Sequence, residues 1–404
     1  MRASASWTLA ITLAIQSLVS AAVLIVPVLA TVIGPVYGVS AEWLGAYVAL
    51  VYCGAMVGSL LAGDWIARLG AIRASQLGML LCAVGLLLSL AGWLPLMIAG
   101  AALIGIGYGP ITPASSHLLV KTAPAHRMSL VFSIKQTGVP LGGVLAGLLA
   151  PWLEAWLGWR GALAGFALAT LACIALAQGL RRDLDVDRQP LRRSGGGKLR
   201  EPLRLILSQR SLALLAWVSL TFSAVQLSVS AYTVTYLHDN LGYTLVMAGL
   251  MMSIAQGAGV IGRIVWGWIA DRLGSAVTAL IALAVAMAGS SWALAVLPAG
   301  SHPWLLGGVL FALGAAAIGW NGVYLAEVAR QAPPGQAGLA TGGTLTCTFL
   351  GVVLGPPLFG LVVSLSGSYR IAFFLIVLPA LLSALLLYWQ RGQFRLARRP
   401  PVRR

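Results

Sequence analysis

The chain has 404 residues, of which 59% are hydrophobic and 9% charged, and its mean hydropathy is +0.91. A soluble domain carries about a quarter charged residues, so a water-soluble globule is excluded. The 26 Lys and Arg against 10 Asp and Glu, net +16, do not form the single stripe that nucleic acid needs. Arg181, Arg182, Arg188, Arg192, Arg193, Lys198, Arg200 and Arg204 crowd one mid-chain segment, and Arg391, Arg395, Arg398, Arg399, Arg403 and Arg404 crowd the C-terminus. Basic residues beside membrane spans are attracted by anionic lipid headgroups, so lipid rather than nucleic acid is the expected partner.

A bilayer-spanning helix needs about 20 apolar residues. Charged residues and Gly/Pro clusters cut the chain into twelve such segments: 8–34, 43–63, 74–91, 96–120, 128–152, 161–180, 211–236, 244–270, 275–297, 303–329, 338–364 and 371–390. The uncharged stretch from Ala3 to Ala41 is too long for the apolar region of a signal peptide and reads as the first span. Gly92-Trp93-Leu94-Pro95 separates the third span from the fourth, and Pro298 to Pro303 separates the ninth from the tenth. Cys53, Cys82, Cys173 and Cys347 all lie inside apolar runs, far apart and without a C-x-x-C pair, so neither a disulfide nor a metal site is expected.

With both termini inside, Arg160 and Arg370 fall outside and Lys135 and Arg263 fall within spans, while every other Lys and Arg falls inside. Positive residues mark the cytoplasmic side, so both termini are expected to be cytoplasmic. Arg outnumbers Lys 23 to 3 in an Ala-rich chain, which points to a GC-rich bacterial genome and the cytoplasmic (inner) membrane.

The chain also repeats itself. Gly63-Asp64-Trp65-Ile66-Ala67-Arg68-Leu69-Gly70 follows the second span, and Gly267-Trp268-Ile269-Ala270-Asp271-Arg272-Leu273-Gly274 follows the eighth. Ala123-Pro124 and Ala332-Pro333 close the fourth and tenth spans, and Trp159-Arg160 and Tyr369-Arg370 open the sixth and twelfth. The expected organisation is an N-terminal six-helix bundle (1–180), a basic cytoplasmic linker (181–210) with a flexible Ser194-Gly195-Gly196-Gly197 core, a C-terminal six-helix bundle (211–390) and a basic tail (391–404).

A G-x-x-x-D-R-x-G segment after spans two and eight, in two six-span halves, resembles the major facilitator superfamily. The resemblance covers nearly the whole chain and implies an all-α membrane protein of twelve transmembrane helices in two pseudo-symmetric bundles, with alternating access around a central site. It implies gating roles for Gly63, Asp64, Arg68 and Gly70 and for Gly267, Asp271, Arg272 and Gly274, the acid docking on a helix N-terminus. The second copy is complete; the first has Ala67 where the family has its acid, and Asp64, one turn earlier, is the substitute.

Ionisable groups inside spans default to functional roles. Lys135 lies eight residues after Arg127, and Arg263 eight residues before Asp271, so each reaches about 12 Å along its helix at about 1.5 Å per residue. In a core about 30 Å thick, both sit near the midplane. Gly262-Arg263-Ile264-Val265-Trp266-Gly267 resembles the eighth-span segment of monocarboxylate and oxalate carriers, where an arginine four residues before the motif glycine binds the carboxylate. Guanidinium can hold both oxygens of a carboxylate, whereas Lys acts as a point charge. Gln256 shares the face of Arg263, and Trp320, Asn321, Tyr324 and Gln136 complete the expected substrate set, with Gln16 and Tyr232 as further candidates.

The leading expectation is a secondary transporter of a small organic anion bearing a carboxylate, monomeric, with protons as a candidate coupling ion and Glu327 as the candidate proton site. No G-x-x-x-x-G-K-[ST] segment for ATP is present and no cofactor is expected. Gly138-Val139-Pro140-Leu141-Gly142-Gly143 loosely resembles the fifth-span motif of drug exporters, which makes a drug or metabolite efflux antiporter the alternative. An enzyme is not expected: His117, His126, His238 and His302 lack metal spacing, and no G-x-S-x-G elbow occurs.

Overall fold

The computed structural model describes residues 5–38, 43–186 and 200–396. Arg188, Arg192, Arg193, Lys198 and the Ser194–Gly197 core of the linker, with the last residues of the tail from Ala397 on, lie outside them. Among the described residues all regular structure is helical, and eleven stretches are long and apolar enough to cross a bilayer. One of these, Ala125–Leu184, runs for 60 residues, far beyond the length one crossing needs. It is broken at Gly158 (φ 68°, ψ 170°), a backbone conformation that a side chain would oppose. The break falls between the segments expected at 128–152 and 161–180.

Two compact units make up the chain. The first comprises Met1–Pro124, Ile134–Ile206 and Ala332–Phe349; the second comprises Ala125–Ser133, Leu207–Gln331 and Leu350–Arg404. Two short segments thus belong to the unit built mainly from the other half of the sequence.

The first unit is built on α1 (Ala5–Val28), α2 (Ala30–Tyr37), α3 (Trp43–Leu69), α4 (Ala71–Leu88), α5 (Leu94–Tyr108) and α6 (Ile111–Thr122). It also holds the end of α7 (Met128–Gln136), α8 (Gly138–Ala177), the short α9 (Arg181–Leu184) and most of α10 (Arg200–Ser208). Lipid tails are as apolar as leucine, so helices associate through close packing of small residues rather than by a hydrophobic drive. Accordingly α3 and α5 touch backbone to backbone: a Cβ on Gly58 would fall on the Ile106 carbonyl, and one on Gly105 would fall on that of Val51. The glycines of the fifth span serve α1 in the same way, with Gly142 against the Ser17 carbonyl and Gly138 against the Gln16 side chain.

The second unit repeats this plan with α11 (Arg210–Thr235), α12 (Leu245–Arg272), α13 (Ala276–Val296), α14 (Pro303–Ala317), α15 (Asn321–Gln331), the latter part of α16 (Ala337–Ser366), α17 (Tyr369–Leu375) and α18 (Val377–Leu396). Gly262 meets Ala315 and Gly314 meets the Ala255 carbonyl, the counterparts of the α3–α5 contacts. Gly351 meets the Leu220 carbonyl of α11, as Gly142 meets α1. The ends away from the repeated motif are also tied alike. In the first unit the Tyr37 hydroxyl donates to the Ser89 carbonyl and Arg160 Nε to that of Leu90 (3.0 Å). In the second, the Tyr236 hydroxyl donates to the Leu294 carbonyl (3.2 Å) and Arg370 Nη2 to that of Leu297 (3.0 Å).

Candidate functional site

Both repeats break the same span. In the first unit the break lies at Gly109-Pro110, between α5 and α6. Proline at position 113 has no N–H to give to the Gly109 carbonyl one turn back, and Ser59 Oγ of α3 donates to that carbonyl instead, at 3.1 Å. Thr112 therefore emerges on the first turn after a fixed bend. Pro140, likewise without an N–H, lies four residues after Gln136, where α7 gives way to α8.

These two bends and α1 meet around Lys135. Its side chain is 1% exposed, and Nζ donates to Gln16 Oε1 (2.7 Å), Gln136 Oε1 (3.0 Å) and Thr112 Oγ1 (3.2 Å). Thr112 Oγ1 in turn donates to Gln16 Oε1 (3.1 Å), and Gln16 Nε2 donates to Ser20 Oγ (3.2 Å). All three ammonium donors are satisfied, and all three acceptors are neutral. None of these partners supplies a counter-ion, so an ammonium in this buried setting favours an anion beside it.

The second unit carries the corresponding node. Span ten breaks between α14 and α15, and Arg263 of α12, 3% exposed, donates Nε to the Ile318 carbonyl there at 3.1 Å. Gln226 of α11 is the acceptor here: its Oε1 accepts from Trp320 Nε1 (3.0 Å) and Asn321 Nδ2 (3.4 Å). Trp320 is fully buried and edge-on to both Phe222 (5.5 Å between centroids) and Tyr324 (5.2 Å). Gln256 is exposed and reaches Ser230 Oγ at 3.5 Å. Tyr232 lies apart from this node, stacked on Phe359 at 4.8 Å.

Beside the repeated motif, Asp271 accepts the backbone N–H groups of Ser129 (3.0 Å) and Leu130 (2.8 Å), in the first turn of α7, and Arg330 Nη2 at 3.3 Å. Ser129 and Leu130 come from the first half of the sequence yet belong to the unit of Asp271. A carboxylate here satisfies two orphan donors and the positive end of a helix dipole at once. Gly267 leaves room for this contact, since its Cβ would lie 2.5 Å from Ser133 Oγ. Glu327, fully buried, extends the cluster: Arg330 Nη1 lies 3.6 Å from Oε2, and Gln331 Nε2 donates to Oε1 at 2.8 Å. Arg272 stacks on Trp268 at 4.8 Å, and Gly274 ends the turn with φ 59°.

In the first copy Asp64 pairs with Arg68 on its own helix (2.9 Å), and Gly63 packs against Leu339 at the start of α16. Gly70 (φ 94°) opens α4, whose first N–H groups, Ile72 (2.8 Å) and Arg73 (3.2 Å), donate to Asp185. Sequence reasoning did not single out Asp185, Thr112, Ser59 or Gln226. One signal was available: Pro113 marks the bend that Ser59 serves.

A multi-pass membrane protein built from two repeats is the class that this all-helical fold, with its motif cluster and broken spans, defines. The pattern of the Major Facilitator Superfamily matches residues 9–356, and the chain belongs to that family. An uncharacterised MFS-type transporter of Mycobacterium tuberculosis is 28% identical over 265 residues, covering 63% of this chain and 56% of the relative; the match thus spans little more than half of that relative's length. A gallate transporter of Pseudomonas putida is 27% identical over 91% of this chain and 87% of its own. Among solved structures, the E. coli fucose:proton symporter FucP superposes with a TM-score of 0.74 at 16% identity, over 96% of this chain and 99% of its own, a likeness of fold.

Proposed function

We propose that the protein is a secondary transporter that moves a small organic anion bearing a carboxylate across the bacterial cytoplasmic membrane by alternating access. Lys135 and Arg263 are its charge-compensating groups, and Gln136, Trp320, Asn321, Tyr324 and Gln256 contribute to the substrate path. The observation that carries the reading is Lys135: a buried ammonium whose every hydrogen-bond acceptor is neutral. Burying a charge without a counter-ion is costly, so the site gains from a carboxylate entering it. Arg263 adds a guanidinium, suited to both oxygens of such a group. The relative from Pseudomonas putida is a gallate transporter, and gallate bears a carboxylate.

Asp271, Arg330 and Glu327, with Gly267, Arg272 and Gly274, act in this reading as the gate cluster of the second repeat. Gly63, Asp64, Arg68 and Gly70 act as that of the first. Glu327 serves the cluster through Arg330 rather than as an isolated proton site. Both termini are cytoplasmic, with the basic linker and tail against the anionic inner leaflet.

The test is uptake of labelled benzoate and lactate into proteoliposomes holding the full chain, alongside the Lys135→Gln and Arg263→Gln variants. Each substitution is expected to lower kcat/KM about 100-fold, equivalent to about 2.7 kcal/mol. Uptake unchanged in both variants removes the charge assignment, and no uptake of either acid by the wild type removes the anion reading.

A further inference from the structure

The first unit holds a group of three rings that the scaffold does not require. Tyr52 of α3, Tyr108 at the end of α5 and Phe349 of α16 meet in a triangle, with centroids 5.7 Å apart for Tyr52 and Phe349, 6.0 Å for Tyr108 and Phe349, and 6.5 Å for Tyr52 and Tyr108. Both tyrosines are half-buried. Near the repeated motif α3 and α16 approach closely at a glycine of one or the other helix, Gly63 against Leu339 and Gly342 against the Ser59 carbonyl. Two turns further along the same face, the contact passes instead through the rings of Tyr52 and Phe349. No hydrogen bond joins the Tyr52 hydroxyl to another described residue. A phenol within a membrane helix that keeps an open hydroxyl suits a site that takes up polar guests.

Comparison of the repeats separates scaffold from site. The close contacts of Gly58 with Ile106 and of Gly105 with Val51 recur as Gly262 with Ala315 and Gly314 with Ala255. At the positions corresponding to Tyr52 and Tyr108, the second repeat has Gln256 and Ala317. A helix pair of this geometry therefore closes without the rings, and they answer to something other than packing. Tyr108 also stands four residues before Thr112, across the Gly109-Pro110 bend, so the ring triangle and the Lys135 node are set by the same break.

We infer that Tyr52, Tyr108 and Phe349 form a ring-binding subsite and that the carried anion is an aromatic carboxylate, its ring against the triangle and its carboxylate at Lys135. The inference rests on the anion reading above and narrows it to one class. Aromatic faces prefer a flat partner with its own quadrupole, which a saturated ring of the same size lacks.

The test compares benzoate with cyclohexanecarboxylate, matched in charge and size, by calorimetric binding to the purified full chain. Benzoate is expected to bind about tenfold more tightly. In Tyr52→Leu and Phe349→Leu that preference should vanish. Equal affinities in the wild type, or an unchanged preference in both variants, overturn the subsite while leaving an anion transporter in place. If neither acid binds, the anion reading itself falls. The wild-type comparison stands even where a variant does not fold.

Discussion

Arg263 stands in the second repeat where Ser59 stands in the first, and each donates to the backbone carbonyl freed at a helix break, Ser59 Oγ to Gly109 and Arg263 Nε to Ile318, both at 3.1 Å. The second repeat thus meets a structural need with a charged side chain. One edge of the guanidinium is committed to the fold, which fixes the orientation of the rest. Lysine cannot hold a carbonyl through Nε–H and also present a planar fork. Arg263→Lys is therefore expected to lower kcat/KM for benzoate uptake more than tenfold, whereas Ser59→Ala costs only one membrane-embedded hydrogen bond, about 0.6 kcal/mol. Uptake kinetics and thermal unfolding of the two variants check this, and an Arg263→Lys variant of wild-type activity contradicts it.

The glutamines of the two nodes differ in what they hold. Gln16 Oε1 accepts an ammonium, while Gln226 Oε1 accepts an indole N–H and an amide. Hydrogen bonds to charged groups contribute about 1.5–3 kcal/mol, and neutral ones about 1 kcal/mol. Gln16→Leu should then destabilise the protein roughly twice as much as Gln226→Leu, as read by the midpoint of denaturant unfolding in detergent. The reverse order would mean that Lys135 does not depend on Gln16.

Asp271 joins two backbone donors and Arg330. Asp271→Ala removes all three partners and leaves two helix N–H groups orphaned, at an expected cost of about 1.5–3 kcal/mol. Asp271→Asn keeps an acceptor for the backbone but loses the charge, so its melting temperature should fall between those of wild type and Asp271→Ala. A melting temperature for Asp271→Ala equal to that of wild type would show that the contact adds no stability.

Asp185 caps α4 through Ile72 and Arg73, and a Cβ on Gly70 would collide with it. Replacing an N-cap acid by alanine costs about 1 kcal/mol. Asp185→Ala should lower the melting temperature slightly. Gly70→Ala, strained at φ 94° as well as obstructed, should lower it more. In the double variant the clash with the carboxyl group disappears while that with Cβ of residue 185, at 2.5 Å, stays, so only part of the Gly70→Ala loss should be recovered. Strictly additive losses would rule out the contact as its cause.

The sequence by itself determined that the chain lives in a bilayer, how it is cut into apolar segments, that its two halves repeat and that it belongs with the major facilitator transporters. Hydropathy and motif spacing are properties of local sequence, legible without a partner. It also marked Lys135 and Arg263, because an ionisable residue inside an apolar run is rare for an energetic reason. Only the tertiary structure decided what those cations touch. Gln16 lies 119 residues from Lys135, and Ile318 lies 55 from Arg263. Which side chains meet depends on helix rotation and on bends such as the one at Gly109-Pro110. Asp185, remote from the motif yet closing the first turn of α4, was invisible for the same reason: a cap is defined by the N–H groups it reaches, and these lie more than a hundred residues away in the chain.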